Sequence, residues 1–285
     1  MKTQFYKYQA FGNDMLVLDP TSFDLPLTAA AIRRLCDRHF GLGADGVCYG
    51  PWPAGRQPPG MRFFNPDGSE AAKSGNGLRI FARYLWEQGY VTGPTFELGI
   101  GGEIVRAEVR DDRACTITTT LGRLSFWSED VPVRGPGREV IEEALEFGGR
   151  AERLTAVSLG NPHCVIFRES ISADQARAGG PLIERSPHFP NRTNVQFGRV
   201  LDLHTIALEI WERGAGYTLA SGSSAAAAAG AAIRTGRCRS PVEVRMAGGA
   251  AHVVIDETWQ VSLTGRVEAV CQGTLAGDFV AQLGE

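Results

Sequence analysis

Two landmarks recur in this chain at nearly the same spacing, and together they restrict what it can fold into. Ser74, in Lys73-Ser74-Gly75-Asn76-Gly77, lies 61 residues beyond the Asn13 of Gly12-Asn13-Asp14. Ser221, in Ala220-Ser221-Gly222-Ser223-Ser224, lies 60 residues beyond the Asn161 of Gly160-Asn161-Pro162. In each half a Gly-Asn turn is followed by a serine on a glycine turn that opens a helical pattern, Leu78 to Leu85 in the first and Ala225 to Ala229 in the second. Matched landmarks at matched spacing indicate a duplicated unit. The halves are predicted to run from 1 to 120 and from 121 to 265, with the tail, 266–285, returning to the first. A serine in this position exposes its side chain above the free N–H groups of a helix N-terminus, a place that can hold an anion. As a plain helix cap the serine is equally at home.

The remaining pattern is mixed. Short alternating or β-branched segments are expected as strands at 3–8, 15–19, 61–64, 103–109 and 116–120, and again at 164–167, 205–211, 242–246, 251–255 and 259–264. Helices are expected at 28–39, 78–88, 139–146, 172–178 and 222–235. Such a mixture predicts an α+β fold with helices packed on or inside curved sheets. The Pro-rich stretch from Pro51 to Pro59 reads as a surface loop rather than a boundary.

Bulk properties exclude several classes. With 285 residues, 43% of them hydrophobic and 21% charged, the chain has ordinary globular composition and enough length for two domains. A net charge of −3 without a basic block gives no reason to expect nucleic acid or an anionic membrane as partner. The opening Met1-Lys2-Thr3-Gln4-Phe5 lacks a signal-peptide core, and the alanine-rich run ends at Arg234 before it could span a bilayer. A cytoplasmic location is the expectation. The six cysteines form no CxxC pair, so no metal site is expected, and each reads as a small buried apolar residue.

Several turn motifs carry polar residues toward one kind of chemistry. Asn65-Pro66-Asp67-Gly68 follows a strand and feeds into the Ser74 turn. Pro-Asp-Gly alone is good turn chemistry, so Asn65 gains weight from its position. His163 follows Gly160-Asn161-Pro162, and beside Asn161 it becomes a candidate proton carrier or supporting partner. Asn194 by itself would be a turn or cap residue. Glu212-Arg213, nine residues before Ser221, ends a strand and is followed by Gly214-Ala215-Gly216. An arginine there suits a carboxylate, which it can bind through two hydrogen bonds. Asparagines, an arginine, a glutamate, a histidine and two helix N-termini match a small zwitterion carrying carboxylates and an ammonium. They do not match a nucleotide, because Gly75-Asn76-Gly77 lacks the G-x-G-x-x-G spacing and there is no Walker sequence. No lysine sits in a recognisable pyridoxal-phosphate context; Lys73 lies next to the turn rather than on it. HExxH and nucleophile-elbow patterns are also missing.

These residues resemble the diaminopimelate epimerase family of pyridoxal-independent epimerases and racemases. The resemblance rests on Phe11-Gly12-Asn13-Asp14, Gly41-Leu42-Gly43-Ala44-Asp45-Gly46, Phe64-Asn65-Pro66-Asp67-Gly68-Ser69-Glu70, Gly75-Asn76-Gly77, Gly160-Asn161-Pro162-His163, Asn194-Val195 and Glu212-Arg213-Gly214-Ala215-Gly216. It implies two similar domains, each a β-barrel-like sheet around a central helix, with the active site in the cleft between them. A homodimer, an amino-acid substrate and the use of no cofactor are implied as well. In that family a pair of cysteines moves the α-proton, one thiolate removing it and the opposite thiol delivering another. Those positions are Ser74 and Ser221 here. The same carry-over assigns Asn13, Asn65, Asn161, Asn194, Glu212 and Arg213 to substrate binding. Asn65, Asn161, Asn194 and Arg213 would hold the distal amino-acid end. Gly75, Asn76, Gly222 and Ser223 would offer N–H groups to the reacting carboxylate. His163 and Glu212 would handle protons beside the catalytic pair.

The departure from the family falls on the catalytic atoms. A thiol has a pKa of about 8.5 and is readily lowered at a helix N-terminus, whereas serine acts only with a base beside it. Tyr217 stands where the family usually has an acidic residue, and Ser224-Ala225 replaces Gly-Ala. Three readings follow: an amino-acid epimerase with altered acid–base groups; a one-base isomerase or dehydratase drawing its base from Glu212, His163 or Asp67; or a catalytically silent amino-acid-binding protein.

Overall fold

The computed structural model describes residues 2–53, 55, 57–71 and 74–283; Lys73, beside the first serine, and Ala54 and Arg56 of the Pro-rich loop lie outside them. The chain divides into two compact units, Met1–Thr119 with Gly265–Glu285, and Thr120–Thr264. In chain order the first carries β1 (Gln4–Ala10), β2 (Asn13–Leu18), α1 (Ala29–Cys36), β3 (Val47–Tyr49), β4 (Gly60–Phe64), β5 (Glu70–Ala71), α2 (Gly75–Glu87), β6 (Thr95–Ile100), β7 (Glu103–Val109) and the start of β8 (Thr116–Arg123). The second carries β9 (Glu143–Phe147), β10 (Arg150–Ser158), β11 (Pro162–Phe167), α3 (Ala173–Glu184), β12 (Asn194–Asp202), β13 (Thr205–Glu212), β14 (Gly216–Thr218), α4 (Gly222–Arg234), β15 (Val242–Met246), β16 (Gly249–Ile255) and most of β17 (Gln260–Arg266). The chain then returns to the first unit with β18 (Glu268–Thr274) and α5 (Gly277–Leu283).

The two units repeat one topology. In the first the strand order is β18-β1-β2-β3-β4-β6-β7-β8, with β5 added to β4. In the second it is β9-β10-β11-β12-β13-β15-β16-β17, with β14 added to β13. Both series run antiparallel, antiparallel, parallel, antiparallel, parallel, antiparallel, antiparallel. Gly12 and Gly160 hold φ of 82° and 81°, a left-handed conformation open to glycine, at equivalent points of the two turns that lead into β2 and β11. The architecture is α+β.

Strand alternation separates two apolar layers in the first unit. Met15 and Val17 of β2 pack with Leu78, Phe81 and Leu85 of α2. Leu16 and Leu18 point the other way, into a cluster with Ile32 and Leu35 of α1. In the second unit Cys164 and Ile166 of β11 pack with Ala176 and Ile183 of α3. The two central helices, α2 and α4, each have 13 residues and are buried almost all round. An all-round apolar surface is what a helix enclosed by its sheet needs. α4 meets that need with alanine, and α2 with larger side chains.

Two helix expectations fail in instructive ways. Residues 139–146 do not form a helix; 143–147 is β9, joined to β10 through Gly148-Gly149. Both glycines have positive φ, 59° and 82°, which makes the two-residue turn that fits a right-twisted hairpin. The helix expected to stop at 178 continues as α3 through Gly179-Gly180-Pro181 to Glu184. Its glycines allow close packing: a Cβ at Gly180 would lie 2.4 Å from Cγ of Trp211 in β13. Gly180→Ala should therefore be destabilising by about 1–3 kcal/mol despite its better helix propensity. A urea titration followed by Trp fluorescence checks this, with a lower midpoint expected.

Candidate active site

Each central helix begins with a serine in nearly the same extended backbone. Ser74 has φ −140° and ψ 117°, and its Oγ accepts from Gly77 N–H at 3.1 Å. Ser221 has φ −148° and ψ 128°, and its Oγ accepts from Ser224 N–H at 3.4 Å. The cap satisfies the third N–H of each helix. The first two, Gly75 and Asn76 in α2 and Gly222 and Ser223 in α4, have no intrahelical partner by geometry. Both termini are thus able to receive an anion.

In the first unit amides and charges gather around the start of α2. Asn76, which is buried, donates from Nδ2 to Asn13 Oδ1 at 3.1 Å. Asn13 donates to Asp45 Oδ2 at 3.0 Å. Asp45 belongs to an ion-pair cluster in which Arg38 bridges Asp14 and Asp45, and Lys7 reaches Asp14 at 2.8 Å. Burial alone would raise the Asp14 pKa, but hydrogen bonds and charge from Arg38 and Lys7 outweigh it and hold the group down to about 2. Asn65 lies in the β4–β5 turn with Nδ2 on Ser69 Oγ at 3.0 Å. Asp67, the alternative base, is exposed, and hydrogen bonds from the Ser69 hydroxyl and N–H lower its pKa.

In the second unit a buried polar row lies along β11, β12 and the start of α4. His163 is fully buried. Its Nδ1 faces Gln196 Nε2 at 3.1 Å, and its Nε2 faces Asn161 Oδ1 at 3.0 Å. An amide nitrogen only donates and an amide oxygen only accepts. Nδ1 is therefore the acceptor, and the ring proton resides on Nε2. Gln196 spends its second hydrogen on Ser224 Oγ at 3.0 Å. The orientation leaves Asn161 Nδ2 turned toward Ser223 Oγ at 3.5 Å, and Ser223 Oγ lies 3.4 Å from Ser221 Oγ.

Glu212 closes the other flank of Ser221. The half-buried carboxyl is raised above its usual pKa by loss of hydration, with hydrogen bonds from Ser221 and Thr218 pulling the other way. Arg213, next in the chain, is exposed; its backbone N–H donates to Asn194 Oδ1 at 2.9 Å and its Nη1 to the Asn191 carbonyl at 3.1 Å. It forms no ion pair among the described residues, so no protein glutamate competes for its guanidinium. Asn194 uses its other end on the Pro162 carbonyl at 2.9 Å. Buried Glu184 holds the turn from outside, accepting from Trp211 Nε1 at 2.8 Å and Gly214 N–H at 3.1 Å. Tyr217 donates to Glu209 at 2.7 Å and lies under the Arg177 guanidinium.

The second unit thus brings Asn161, Ser221, Ser223 and Glu212 together, with Arg213 on the adjoining turn and Asn194 at the start of β12 beside it. The first brings Ser74, Asn76 and Asn13 together, with Asn65 on its own turn. His163 makes no bond to Ser221; two side-chain amides occupy its ring nitrogens. Gln196, Asp45 and Glu184 were not anticipated. The signal for Gln196 is its place two residues after Asn194, between apolar Val195 and Phe197. No group of metal-ligating side chains occurs among the described residues.

Burial lowers the His163 pKa to about 3, against a smaller opposing effect from Gln196. The neutral ring is therefore the folded form over a wide range, and stability is lost as pH falls from the ordinary histidine range through the lowered value. Nitrogen NMR at pH 5 should show His163 neutral with its proton on Nε2. A charged ring at that pH would contradict the assignment.

Comparison with known proteins agrees with this geometry. The family model described as Diaminopimelate epimerase matches residues 5–127 and 155–270. Diaminopimelate epimerase 2 of Nostoc sp. is 48% identical over 98% of this chain and 97% of its own. The diaminopimelate epimerase of Pelotomaculum thermopropionicum is 39% identical over 94% and 97%. Among solved structures, a probable proline racemase from Agrobacterium radiobacter superposes with a TM-score of 0.71 at 17% identity, covering 97% of this chain and 93% of that one. Methylitaconate-delta-isomerase superposes at 0.65 and 13% identity, covering 99% and 97%. Those two likenesses concern the fold. From its buried helix starts to its full-length relatives, the chain belongs to the diaminopimelate epimerase family.

Proposed function

We propose that this protein is an isomerase, a cofactor-independent epimerase that interconverts LL- and meso-diaminopimelate by moving the α-proton. The observation that carries the reading is the Glu212 carboxyl beside Ser221 at the start of α4, held by Thr218 Oγ1 at 3.4 Å and raised by loss of hydration, in a chain of this family. Serine alone is too weak a base to remove an α-proton. A carboxylate beside it supplies what the missing thiol would have supplied. Ser221 Oγ takes the α-proton as its own proton passes to Glu212. The electron pair left on carbon spreads into the substrate carboxylate, which the N–H groups of Gly75, Asn76, Gly222 and Ser223 stabilise. Ser74 is the second proton-transfer position: its hydroxyl gives a proton to carbon and regains one from water, and Glu212 gives up its proton to the hydroxide so formed, which closes the cycle. Asn13 helps seat the reacting end, while Asn65, Asn161, Asn194 and Arg213 hold the distal one. His163 acts on Asn161, fixing which way its amide points, rather than on the proton.

A second reading has one specific observation in its favour. Ser221 has the Glu212 carboxyl beside it, raised by loss of hydration, whereas among the described residues no carboxylate bonds to Ser74. That asymmetry suits an isomerase working with one base. Incubation with LL-diaminopimelate in deuterium oxide separates the readings. The epimerase exchanges the α-proton with inversion, a one-base enzyme exchanges it with retention, and a silent binding protein does not exchange it.

Glu212 works as the carboxylate, so exchange should rise as pH climbs through its raised pKa. Glu212→Gln should lower the rate by about 10²-fold or more and flatten that limb. The double substitution Ser74→Cys with Ser221→Cys should raise exchange by at least about tenfold, because a thiolate forms far more readily at a helix N-terminus. An unchanged rate in the double variant would argue against these two proton-transfer positions. We also propose a cytoplasmic homodimer. No described helix is long and apolar enough to cross a membrane. Strand β18 leaves Ala269, Val270 and Cys271 exposed, and Val270 is 54% exposed. Light scattering should give the mass of two chains, and Val270→Asp should reduce it to one.

A further inference from the structure

Arg79 is fully buried, near the start of α2, and no carboxylate lies within ion-pair reach among the described residues. Its Nη2 donates to Asn76 Oδ1, while Nε and Nη1 have no hydrogen-bond partner. The guanidinium lies over the Phe11 ring at 5.1 Å, and a Cβ on Gly265 would come within 3.2 Å of Nε. The other buried arginine of this helix is different: Arg83 is paired with Glu87 at 2.8 Å and donates to the Val267 carbonyl at 2.6 Å. A buried, uncompensated cation is expensive to keep, so its presence calls for something it does in return.

Its one hydrogen bond shows what that is. A guanidinium can only donate, so Asn76 must turn its oxygen to Arg79. Asn76 Nδ2 is then committed toward Asn13 Oδ1, and Asn13 Nδ2 toward Asp45 Oδ2. A cation at one end and a carboxylate at the other set the direction of both amides. Each Nδ2 keeps one hydrogen for a ligand, next to the free N–H groups of Gly75 and Asn76. Positive charge without a counter-ion thus lies behind a helix N-terminus that already favours an anion.

We infer that Arg79 is a positioning residue for substrate binding: it locks the amides of Asn76 and Asn13 as donors and lends its charge to the α2 terminus, so that a substrate carboxylate supplies the missing counter-anion. The inference rests on the amino-acid-binding reading above. Burial lowers the Arg79 pKa to about 9, the direction expected of a cation awaiting an anion.

The test uses the whole protein and the variants Arg79→Met and Arg79→Lys. In wild type the Asn76 side-chain amide should give one sharp pair of NMR signals. In Arg79→Met the pair should broaden or shift, with substantial recovery in Arg79→Lys. Calorimetric affinity for LL-diaminopimelate should fall at least tenfold in Arg79→Met and return to within about threefold in Arg79→Lys. The melting temperature of Arg79→Met should hold or rise, because an unpaired buried charge is gone. An unchanged Asn76 signal and unchanged affinity in a folded Arg79→Met would overturn the inference. If Arg79→Met does not fold, wild type alone decides: the Arg79 Nε–H resonance must move on saturation with LL-diaminopimelate, and a resonance that stays put sinks the idea. If wild type binds no diaminopimelate, the substrate reading fails on its own, and an Asn76 amide insensitive to Arg79→Met would still refute the locking role.

Discussion

Everything near the candidate site depends on a helix start that has been buried. A helix begins with N–H groups that nothing within it can satisfy, and water usually meets them at a surface. Here α2 and α4 are buried along most of their length, with Gly75 and Ser223 at their starts partly exposed. Ser74 and Ser221 each satisfy one N–H and leave two for a ligand. Net hydrogen-bond energies are modest, about 1 kcal/mol, but an unsatisfied buried donor costs more. That imbalance keeps both termini receptive to an anion.

Around each terminus, amide orientation does what charge alone could not. His163 is held neutral between Gln196 and Asn161, so it acts as a fixed donor. In the first unit Asp45 and Arg79 play the equivalent part at either end of Asn13 and Asn76. Both arrangements turn ambiguous amides into directed ones, since a row of donors and acceptors has one self-consistent assignment once its ends are set. Glu212 differs in kind: it keeps a titratable carboxyl against Ser221 and can therefore take part in proton movement.

Much of this was legible in the residues. The Gly-Asn turns and the serine-glycine turns mark the repeat, and the asparagines with Glu212-Arg213 are the residues on which the proposed amino-acid site rests. The failures have physical causes. Residues 139–146 carry helix-forming glutamates, yet the Gly148-Gly149 turn and pairing with β10 override that local preference. Gly179-Gly180-Pro181 looks like a helix stop, but close packing on Trp211 carries α3 past it. β12 and β18 lack strict alternation, one because polar residues face α4 and the other because it is exposed along its length.

By itself the sequence determined the duplicated plan, the α+β class and the family, because turn chemistry and helix starts are local and leave short, readable signatures. Only the tertiary structure decided which side chains act together. Gln196 reaches His163 from 33 positions away, and Glu212 meets Thr218 across the β13–β14 hairpin, beside Ser221. Burial, the quantity that makes His163 neutral, raises Glu212 and leaves Arg79 without a counter-ion, belongs to the packed chain and to no segment of it.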